Sequence, residues 1–278
     1  MSNTIGRRAL IGGGLGLAAG ALALTAPASA SAYTTLRVAT FNIHHGAGAD
    51  NILNLERIAA IIEELDVDVV GLQEVDRHWS ERSDWADQTA LLGRMLRMRA
   101  IYGANLDLDP VTEGEPRRQY GTAILSRGPI LRWKNTLLPK YPAGEQRGLL
   151  QATIEHNGAR FTFANTHLQH TSAAERAEQA AAIIQLLGDE RTLLTGDLNA
   201  TADKPEIQIL TDVYADSWPA VGEGPGYTYD ALNPTARIDF VLATPDVKPV
   251  SARVVTEHAE ASDHLAVVAE YRIRKGIQ

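Results

Sequence analysis

The sequence predicts an α/β fold in which strands outnumber helices and several neighbouring strands run antiparallel. Short segments rich in strand-forming residues recur along the chain, whereas three segments repeat apolar residues at helical spacing. Their order departs from the strict strand–helix alternation of a fully parallel sheet. No internal repeat and no Pro-, Gly- or Ser-rich linker divides the chain, so one domain is the simplest organisation.

The first predicted strand covers residues 36–43, which are rich in strand formers, and it runs into a loop at His44-His45-Gly46. A helix follows, with either Asn51 or Asn54 as its N-cap. It is predicted because apolar side chains recur at helical spacing, namely Leu55, Ile58, Ile62 and Leu65.

A second strand is predicted at 67–72, which is nearly all apolar and therefore buried on both faces. It ends at Gln73-Glu74. A second helix is predicted from about Asp84 to Met98 by its apolar periodicity. The next two segments with strand character are residues 121–125 and 149–154.

Residues 161–167 alternate in the manner of a strand, so Asn165 and His167 share one face. Ser172 and Glu175 then form a capping box for an Ala-rich helix that reaches about Leu187. Three further strands complete the predicted fold, at 193–195, 237–242 and 265–273.

The first 32 residues have the features of a secretory signal. Arg7 and Arg8 precede an uncharged Gly-, Ala- and Leu-rich stretch that ends in small residues, and adjacent arginines indicate the twin-arginine route. The alternative is a membrane anchor, which the weak hydrophobicity of the stretch disfavours. We therefore expect a secreted mature chain of residues 33–278 that forms one catalytic domain without a transmembrane segment.

Composition limits the partners of the mature chain. The whole sequence has no cysteine, 26 basic and 34 acidic residues. Because the signal contains two arginines and no acid, the mature chain has 24 basic and 34 acidic residues and a formal charge of −10. This balance disfavours a general nucleic-acid binder, although a metal and local arginines can still contact a few phosphates. No stable protein partner is indicated, and a monomer is expected.

Several strands end in a side chain that can bind a cation or a phosphate, which favours one shared cleft. Each residue also has a structural interpretation, such as a solvated strand end, a turn residue or a hydrogen-bonded core histidine. Asp239 is the hardest to explain in that way, because an acid between Ile238 and Phe240 needs a partner when buried. The residues of this pattern are Asn42, Glu74, His167, Asp197, Asn199, Asp239, Asp263 and His264.

Phosphoester hydrolysis is the chemistry that needs such a set. A hard cation such as Mg²⁺ prefers carboxylate and amide oxygens, which suits Glu74 with Asn42. Either Asp197 or His264 can orient and deprotonate a water molecule. An Asp239–His264 pair would fix the imidazole tautomer. Two further side chains can donate hydrogen bonds to phosphoryl oxygens as charge develops, namely Asn199 and His167.

Seven short stretches of the mature chain carry a family pattern. They are Thr40-Phe41-Asn42, Leu72-Gln73-Glu74-Val75, Tyr120 to Ser126, Asn165-Thr166-His167-Leu168, Thr195 to Asn199, Arg237-Ile238-Asp239-Phe240 and Ser262-Asp263-His264. In this order, and across nearly the whole mature chain, they resemble the endonuclease/exonuclease/phosphatase superfamily. Each stretch alone is weak, whereas all seven in order are specific. This group includes DNase I-like nucleases, abasic-site endonucleases, neutral sphingomyelinases and inositol polyphosphate 5-phosphatases.

The resemblance implies a four-layer sandwich of two packed, mixed but mainly antiparallel β-sheets flanked by α-helices. It also implies the roles of individual residues. Glu74 is similar to the main metal ligand, with Asn42 beside it and Asp263 as an additional ligand. Asp197 and Asn199 resemble the pair that orients the nucleophile and the phosphate. The remaining implied residues are the phosphate-contacting His167 and His264, Asp239 behind His264, and Tyr120 near the phosphate.

One departure from the family pattern concerns the residues after Asn42. Some nucleases of the family have an acidic residue there, whereas this chain has His44 and His45. The two histidines are either structural loop residues, or they contact substrate or a second metal. Mg²⁺ is the expected cofactor, with Mn²⁺ as an alternative and Ca²⁺ less favoured, and the number of ions stays open.

The motifs leave the substrate open, because recognition in this superfamily lies on loops. We expect a phosphodiesterase of nucleic-acid, lipid-headgroup or small phosphodiester substrates, with a DNase I-like endonuclease, an inositol or sugar phosphatase, and an inactive binding module as alternatives. Arg147 is the predicted substrate-binding arginine. Other candidates, for which surface exposure or core packing is the default, are Arg77, Arg82, Arg117, Arg118, Trp79, Trp85, Trp218, Tyr227 and Tyr229, on loops at 45–50, 78–85, 107–118, 139–147 and 217–229.

Overall fold

The computed structural model describes residues 31–276, which form two six-stranded sheets. The first sheet has the spatial order β11 (Lys248–Val254), β12 (Val267–Arg274), β1 (Tyr33–Asn42), β2 (Val69–Arg77), β4 (Arg118–Ser126) and β3 (Arg99–Leu108). The second has the order β5 (Ile130–Leu137), β6 (Gly148–His156), β7 (Ala159–His167), β8 (Thr192–Asp197), β10 (Asp239–Ala243) and β9 (Ala215–Asp216).

Three apolar clusters divide the described residues into four layers. One cluster joins the inner faces of the two sheets, for example through Val38 and Phe163. The second packs the first sheet against α1 and α2, and the third packs the second sheet against α3 and α4. The α-helices of the described region are α1 (Leu55–Leu65), α2 (Gln88–Leu96), α3 (Ala173–Leu186), α4 (Pro205–Thr211) and α5 (Ser217–Val221). The predicted four-layer sandwich is confirmed.

Each sheet is mainly antiparallel but contains one parallel pair, connected through a helix. The first βαβ unit is β1–α1–β2, in which Asn42 pairs with Gln73 at the end of the parallel register. The second βαβ unit is β7–α3–β8, in which His167 pairs with Asp197 at the corresponding end. Carboxyl ends of parallel strands are where α/β folds bind ligands. Both units therefore deliver polar residues to the place where a site is expected.

The predicted helices occur, with changes at their ends. Asn54 rather than Asn51 caps α1, since its Oδ1 accepts a hydrogen bond from the Arg57 N–H at 2.8 Å. Ser172 caps α3 as predicted. The second helix is shorter than 84–98, because Asp84 has φ 50° and the side chain of Asp87 caps the first turn.

The eight predicted strands all occur, and the four strands that the sequence did not predict are the edges of the two sheets. These are β3, β5, β9 and β11, which lack a continuous buried face. The helices α4 and α5 were also not predicted. The proposed signal at 1–32 lies almost entirely outside the described residues. Among the described residues, no helix has the length and apolar character needed to cross a membrane.

Candidate active site

A cavity of about 350 Å³ lies at the carboxyl ends of the two βαβ units. Eight of the ten predicted site residues line it, and the other two, Asn42 and Asp239, are buried directly behind these. The cavity is lined by Glu74, Tyr120, Glu145, Arg147, His167, His170, Asp197, Asn199, Tyr229, Ile238, Asp263 and His264. The structure thus brings all ten residues together, while their individual roles stay predictions.

Glu74 reaches the cavity through a β-bulge. The register of β2 against β4 passes from Leu72–Ala123 to Val75–Gly121, so Gln73 and Glu74 together face one residue of the partner strand. Glu74 has φ 57°, and Val75 returns to the apolar core. The strand therefore does not end at Glu74, as the sequence suggested, but continues to Arg77. The bulge turns the Glu74 carboxylate into the cleft.

Asn42, at the end of β1, links the two βαβ units. Its Nδ2 donates hydrogen bonds to Glu74 Oε1 and to Asp197 Oδ2, each at 3.1 Å. Its Oδ1 accepts from the His44 N–H at 3.1 Å. The amide orientation is fixed because carboxylates only accept and a backbone N–H only donates. Asn42 therefore positions both carboxylates, and direct coordination of a metal by its oxygen stays a prediction.

A buried polar layer that the motif analysis did not identify lies below the site and joins the two sheets. Gln73 Nε2 donates to Asn165 Oδ1 at 2.6 Å and to Thr40 Oγ1 at 2.9 Å. Asn165 Nδ2 donates to the carbonyl of Leu72 at 2.8 Å. The sheets approach closely here, since a Cβ at Gly71 would lie 2.5 Å from Thr195 Oγ1. The layer fixes the spacing of the two strands that carry the catalytic candidates.

His264 is held between two buried carboxylates. Its Nδ1 lies 2.9 Å from Asp239 Oδ2, and its Nε2 lies 3.6 Å from Asp197 Oδ2. Burial alone would lower the pKa of His264, but Asp239 and Asp197 outweigh it and raise the pKa to about 10. Burial, with a contribution from Asp239, raises the pKa of Asp197 to about 7 against the opposing effect of His264. At neutral pH His264 is therefore an imidazolium.

His167 is a neutral hydrogen-bond donor. Arg147 Nη1 lies 3.1 Å from His167 Nδ1, and a guanidinium can only donate, so the ring proton sits on Nε2. That Nε2 lies 3.4 Å from Asp197 Oδ2. Burial and the Arg147 charge hold the pKa of His167 well below its usual range. Arg147 is itself buried and is paired with Glu145 at 2.8 Å.

Four further residues complete the walls. Asn199 donates its backbone N–H to Asp197 Oδ1 at 2.9 Å and its Nδ2 to the Leu168 carbonyl at 3.0 Å. Asp263 lines the cavity next to His264. Burial raises the pKa of the Tyr120 hydroxyl well above its ordinary value. The ring of Tyr229 lies 4.8 Å from that of His264, between centroids.

His44 and His45 lie beside Glu74. The potential ligand atoms of these three side chains are all within 4.8 Å of one another. Burial, together with the charge of Arg82, lowers the pKa of His45 to about 4, so its imidazole is neutral at physiological pH. The cluster belongs to the first βαβ unit, on the same side of the cleft as Asn42.

Most of the other candidate arginines are held by neighbouring groups. Arg77 pairs with Asp87, Arg82 with Asp76 and Arg117 with Asp107, while Arg118 donates to a backbone carbonyl. Trp218 is buried, and Trp85, Tyr227 and Tyr229 are about two-fifths exposed. The cavity also contains Glu145, His170 and Ile238, which the motif analysis did not select. Of these three residues, only His170 could have been selected from the sequence, because it lies three residues after His167.

Comparisons with known proteins agree with this arrangement. The model of the Endonuclease/Exonuclease/phosphatase family matches residues 39–264. A solved endonuclease/exonuclease/phosphatase from Beutenbergia cavernae DSM 12333 is similar, with 27% identity, a TM-score of 0.75 and coverage of 86% of this chain and 72% of that chain. No curated protein sequence gives a significant match.

Two further solved structures share the fold. A mannosyl-6-phosphatase from Bacteroides thetaiotaomicron VPI-5482 has 20% identity and a TM-score of 0.70, with coverage of 85% of this chain and 99% of that chain. The human Nocturnin catalytic domain has 20% identity and a TM-score of 0.64, with coverage of 86% and 95%.

The four-layer fold and its acidic, histidine-lined cleft define a hydrolase of phosphoester bonds. Because the family model matches well over half of the sequence, the chain belongs to the endonuclease/exonuclease/phosphatase family.

Proposed function

We propose that this protein is an exported, metal-dependent phosphodiesterase of small phosphodiesters. The observation that carries the proposal is the convergence of Glu74, Asp197 and His264 in one cavity, with Asn42 bonded to both carboxylates. These residues come from distant parts of the chain. Apolar residues would stabilise the fold better at these positions, so the set is not explained by a structural role. All three being present also argues against an inactive binding module.

The donor set on one side of the cleft fits a divalent cation. Glu74 is half-buried and faces the cavity, and Asp263 also lines it. Asn42 donates to Glu74 Oε1, which holds the carboxylate without neutralising it. Glu74 and Asp263, with Asn42 beside them, would hold Mg²⁺ or Mn²⁺, which prefer oxygen ligands. The bound ion would supply positive charge that stabilises the phosphoryl oxygens.

Asp197 is the proposed general base. It lies at the centre of the cavity wall, and Asn42 and the Asn199 N–H orient its two oxygens. A carboxylate whose pKa is about 7 is matched to proton transfer near neutral pH. Water placed against Asp197 would lose its proton to that carboxylate as its oxygen bonds to phosphorus and the ester P–O bond breaks. The leaving oxygen would take up a proton from solvent. His264 is a weaker candidate for the base, because it is already protonated at neutral pH.

His264 and His167 are the proposed donors to the phosphoryl oxygens. The His264 imidazolium presents Nε2–H, and the neutral His167 presents Nε2–H from the opposite strand. Both Nε2 atoms lie within 3.6 Å of Asp197 Oδ2, so the base and the donors act on one small volume. Preorganised donors of this kind stabilise the charge of the transition state without reorganising during the reaction.

The substrate class follows from the size and surroundings of the cavity. A cavity of about 350 Å³ suits a small ligand. Tyr120 and Tyr229 line it with aromatic surface. All five candidate arginines are engaged with acidic residues or backbone, so they do not form a basic track for duplex DNA. Small phosphodiesters are therefore preferred over long nucleic acids.

A substrate panel tests this proposal. The full chain is assayed with Mg²⁺ and with Mn²⁺ on bis-p-nitrophenyl phosphate, p-nitrophenyl phosphate, plasmid DNA, RNA, sphingomyelin, phosphatidylinositol, inositol phosphates and mannose 6-phosphate. We expect the diester to be cleaved faster than p-nitrophenyl phosphate, and Glu74→Gln to remove the activity. Turnover of the diester by Glu74→Gln at the wild-type rate would contradict the metal assignment, and faster cleavage of plasmid DNA would favour an endonuclease.

A phosphomonoesterase is the second candidate, because the cavity contains a buried guanidinium. Arg147 lies between His167 and His170, and its Nε is buried without a hydrogen-bond partner among the described residues. A monoester carries more negative charge than a diester, which such a cation would favour. The fold shared with a mannosyl-6-phosphatase supports including sugar phosphates. Preferential hydrolysis of mannose 6-phosphate in the panel would favour this candidate.

Export is proposed from Arg7 and Arg8 and the small-residue stretch that follows them. The test compares the wild-type chain with Arg7→Lys/Arg8→Lys in a host that has the twin-arginine route. We expect the wild-type protein outside the cytoplasm and the variant retained inside. Equal export of both would contradict the twin-arginine assignment.

A further inference from the structure

Three potential metal ligands of the first βαβ unit lie close together, and one of them, Glu74, lines the cavity. They are His44 and His45, which follow β1, and Glu74, which lies on the bulge of β2. Their ligand atoms lie within 4.8 Å of one another. The two imidazole rings are 4.5 Å apart between centroids and inclined by 66°, so they meet edge to face rather than stack in parallel.

Both histidines contain a nitrogen atom that no other described residue satisfies. Nδ1 of His44 and Nδ1 of His45 are buried and have no hydrogen-bond partner. Leaving a buried polar atom unpaired costs about 1–3 kcal/mol, so two adjacent cases indicate that a partner belongs there. A metal ion can accept a lone pair from each of two neutral imidazoles at once.

The backbone around these side chains is held in place by the surrounding fold. Asn42 Oδ1 accepts from the His44 N–H at 3.1 Å, and Gln88 Nε2 donates to the His45 carbonyl at 2.6 Å. His44, His45 and Glu74 have φ values of 44°, 46° and 57°, in the left-handed region that residues with a side chain rarely adopt. Such conformations persist only where the structure imposes them, and they cluster at functional sites.

The charge around the cluster also permits a cation. Arg82 acts electrostatically on both His45 and Glu74. Its positive charge is balanced by the fully buried Asp76, which it contacts through two hydrogen bonds of 2.8 Å. The Glu74 carboxylate therefore lies beside the two imidazoles without an ion pair to an ammonium or guanidinium group among the described residues.

We propose that His44, His45 and Glu74 form a site of two imidazoles and one carboxylate that binds a transition-metal dication of the Zn²⁺ or Co²⁺ type in preference to Mg²⁺. Imidazole suits these ions, whereas Mg²⁺ selects oxygen ligands. Two histidines, one carboxylate and open positions are also the donor set of several catalytic metal centres. The inference rests on the proposed function, because both use the Glu74 carboxylate as a metal ligand. It changes the preferred ion at this carboxylate from Mg²⁺ to a transition-metal dication.

The test measures metal binding directly. The full chain without an affinity tag is stripped with EDTA, dialysed and titrated calorimetrically with Zn²⁺ and, separately, with Mg²⁺; Co²⁺ is used to record visible absorption. The test variant is His44→Asn/His45→Asn, because Asn tolerates left-handed backbone better than most residues. The matched control is His258→Asn, which removes a histidine that pairs with Glu64 at 2.8 Å and does not line the cavity.

We expect the wild-type chain to bind Zn²⁺ at least tenfold more tightly than Mg²⁺, and the double variant to lose about tenfold or more in Zn²⁺ affinity, because the preferred imidazole ligands are gone. The Co²⁺ absorption should weaken in the double variant and stay unchanged in His258→Asn. Thermal unfolding of each variant reports on folding, and the single variants His44→Asn and His45→Asn carry the test if the double variant does not fold.

Zn²⁺ affinity and Co²⁺ absorption that are the same in the double variant and in the wild type would overturn the proposal. That outcome leaves the proposed function intact, because the proposed function is tested by the loss of diester hydrolysis in Glu74→Gln. Wild-type hydrolysis by Glu74→Gln would instead remove the metal-dependent mechanism, whatever the binding data show. The two failures are therefore distinguishable.

Discussion

The two βαβ units have the same topology and build opposite walls of the cleft, but they leave their polar side chains in different states. In the second unit, Asp197 accepts hydrogen bonds on both oxygens and His167 is fixed by Arg147. In the first unit, Glu74 lies on a bulge, and His44 and His45 each have an unpaired buried nitrogen. Under the proposed function, the second wall is preorganised for the phosphoryl group, and the first is left open for a cation.

The comparison shows that the same βαβ topology can present two different arrangements of polar side chains, depending on the local backbone conformation. The strands of the second unit stay in register to their last pair, His167 with Asp197, so the two side chains approach each other to 3.4 Å between His167 Nε2 and Asp197 Oδ2. In the first unit the bulge turns Glu74 into the cleft, where Asn42 donates to one of its oxygens, and the left-handed histidines each keep a buried Nδ1 without a partner among the described residues. The predictions below test this contrast, from the largest expected effect to the smallest.

The largest effect is expected at the end of the second unit, for Asp197→Asn. The amide keeps the shape of the side chain but cannot accept a proton, so we expect kcat to fall by about 10³- to 10⁴-fold. Steady-state kinetics on bis-p-nitrophenyl phosphate measure the effect, and circular dichroism checks that the fold is unchanged. A loss of less than about tenfold would show that Asp197 is not the base.

A smaller effect is expected behind the same wall, for Asp239→Asn. Removing this carboxylate removes the main interaction that raises the pKa of His264 to about 10, so the pKa should fall and the imidazole should become neutral at a pH where the wild-type imidazole is still charged. We expect kcat to decrease by about 10²-fold at pH 8, where the donor has lost its charge. Imidazole ¹⁵N shifts in a pH titration of the metal-free protein measure the pKa directly.

The sign of the linked stability effect follows from the same pKa. The folded-state pKa of His264 lies above its ordinary value of 6.5, so the Asp239–His264 pair stabilises the fold fully below about pH 6.5 and loses this contribution as the pH rises toward 10. The Asp239→Asn variant should therefore show a smaller loss of stability over that range than the wild type. A pKa of His264 that does not change in the variant would contradict this account.

The sequence predicted the central strands of this fold and missed the edges. Strands such as 67–72 are buried on both sides and read as continuous apolar runs, whereas β5 exposes Trp133 and Leu137 and mixes them with charged residues. An edge strand pairs on one side only, so its composition is set partly by solvent. Because edge strands are partly exposed to solvent, they lack strict alternation of apolar and polar residues. The sequence pattern therefore did not predict β3, β5, β9 and β11.

The site was predictable residue by residue, but its geometry was not. The sequence identified Glu74 through the set of polar residues at strand ends and through its motif, yet nothing local showed the bulge that turns it into the cleft. Gln73 was part of a quoted motif, whereas its bond to Asn165 is set by the packing of two sheets. Arg147 was selected as a substrate contact, and only the structure shows that it fixes the tautomer of His167. Long-range packing determines all three.

An intermediate effect, on stability, is expected where the two units meet, for Asn165→Ala. The change leaves the carbonyls of Leu72 and Ala123 and the Gln73 side chain without their buried partner. We expect the free energy of unfolding to fall by about 2 kcal/mol, because such groups lose their hydrogen bonds but water can replace part of them. Urea unfolding measures it, with the exposed Asn233→Ala as the control. Equal stability of the two variants would contradict a structural role for the polar layer.

The smallest effects are two stability changes, one in each unit, which should have opposite signs. His45 and Asn199 both have left-handed backbone, with φ 46° and 53°. Glycine adopts this conformation without strain, and His45→Gly also removes a buried, unpaired Nδ1. We therefore expect His45→Gly to raise the free energy of unfolding by about 0.5–1 kcal/mol in metal-free protein.

Asn199→Gly should lower the free energy of unfolding by a similar amount, because it removes the hydrogen bond to the Leu168 carbonyl and asparagine already tolerates the backbone. Urea unfolding of the two variants measures both changes in the free energy of unfolding. If His45→Gly lowers this free energy, the backbone conformation and the unpaired Nδ1 of His45 do not destabilise the fold.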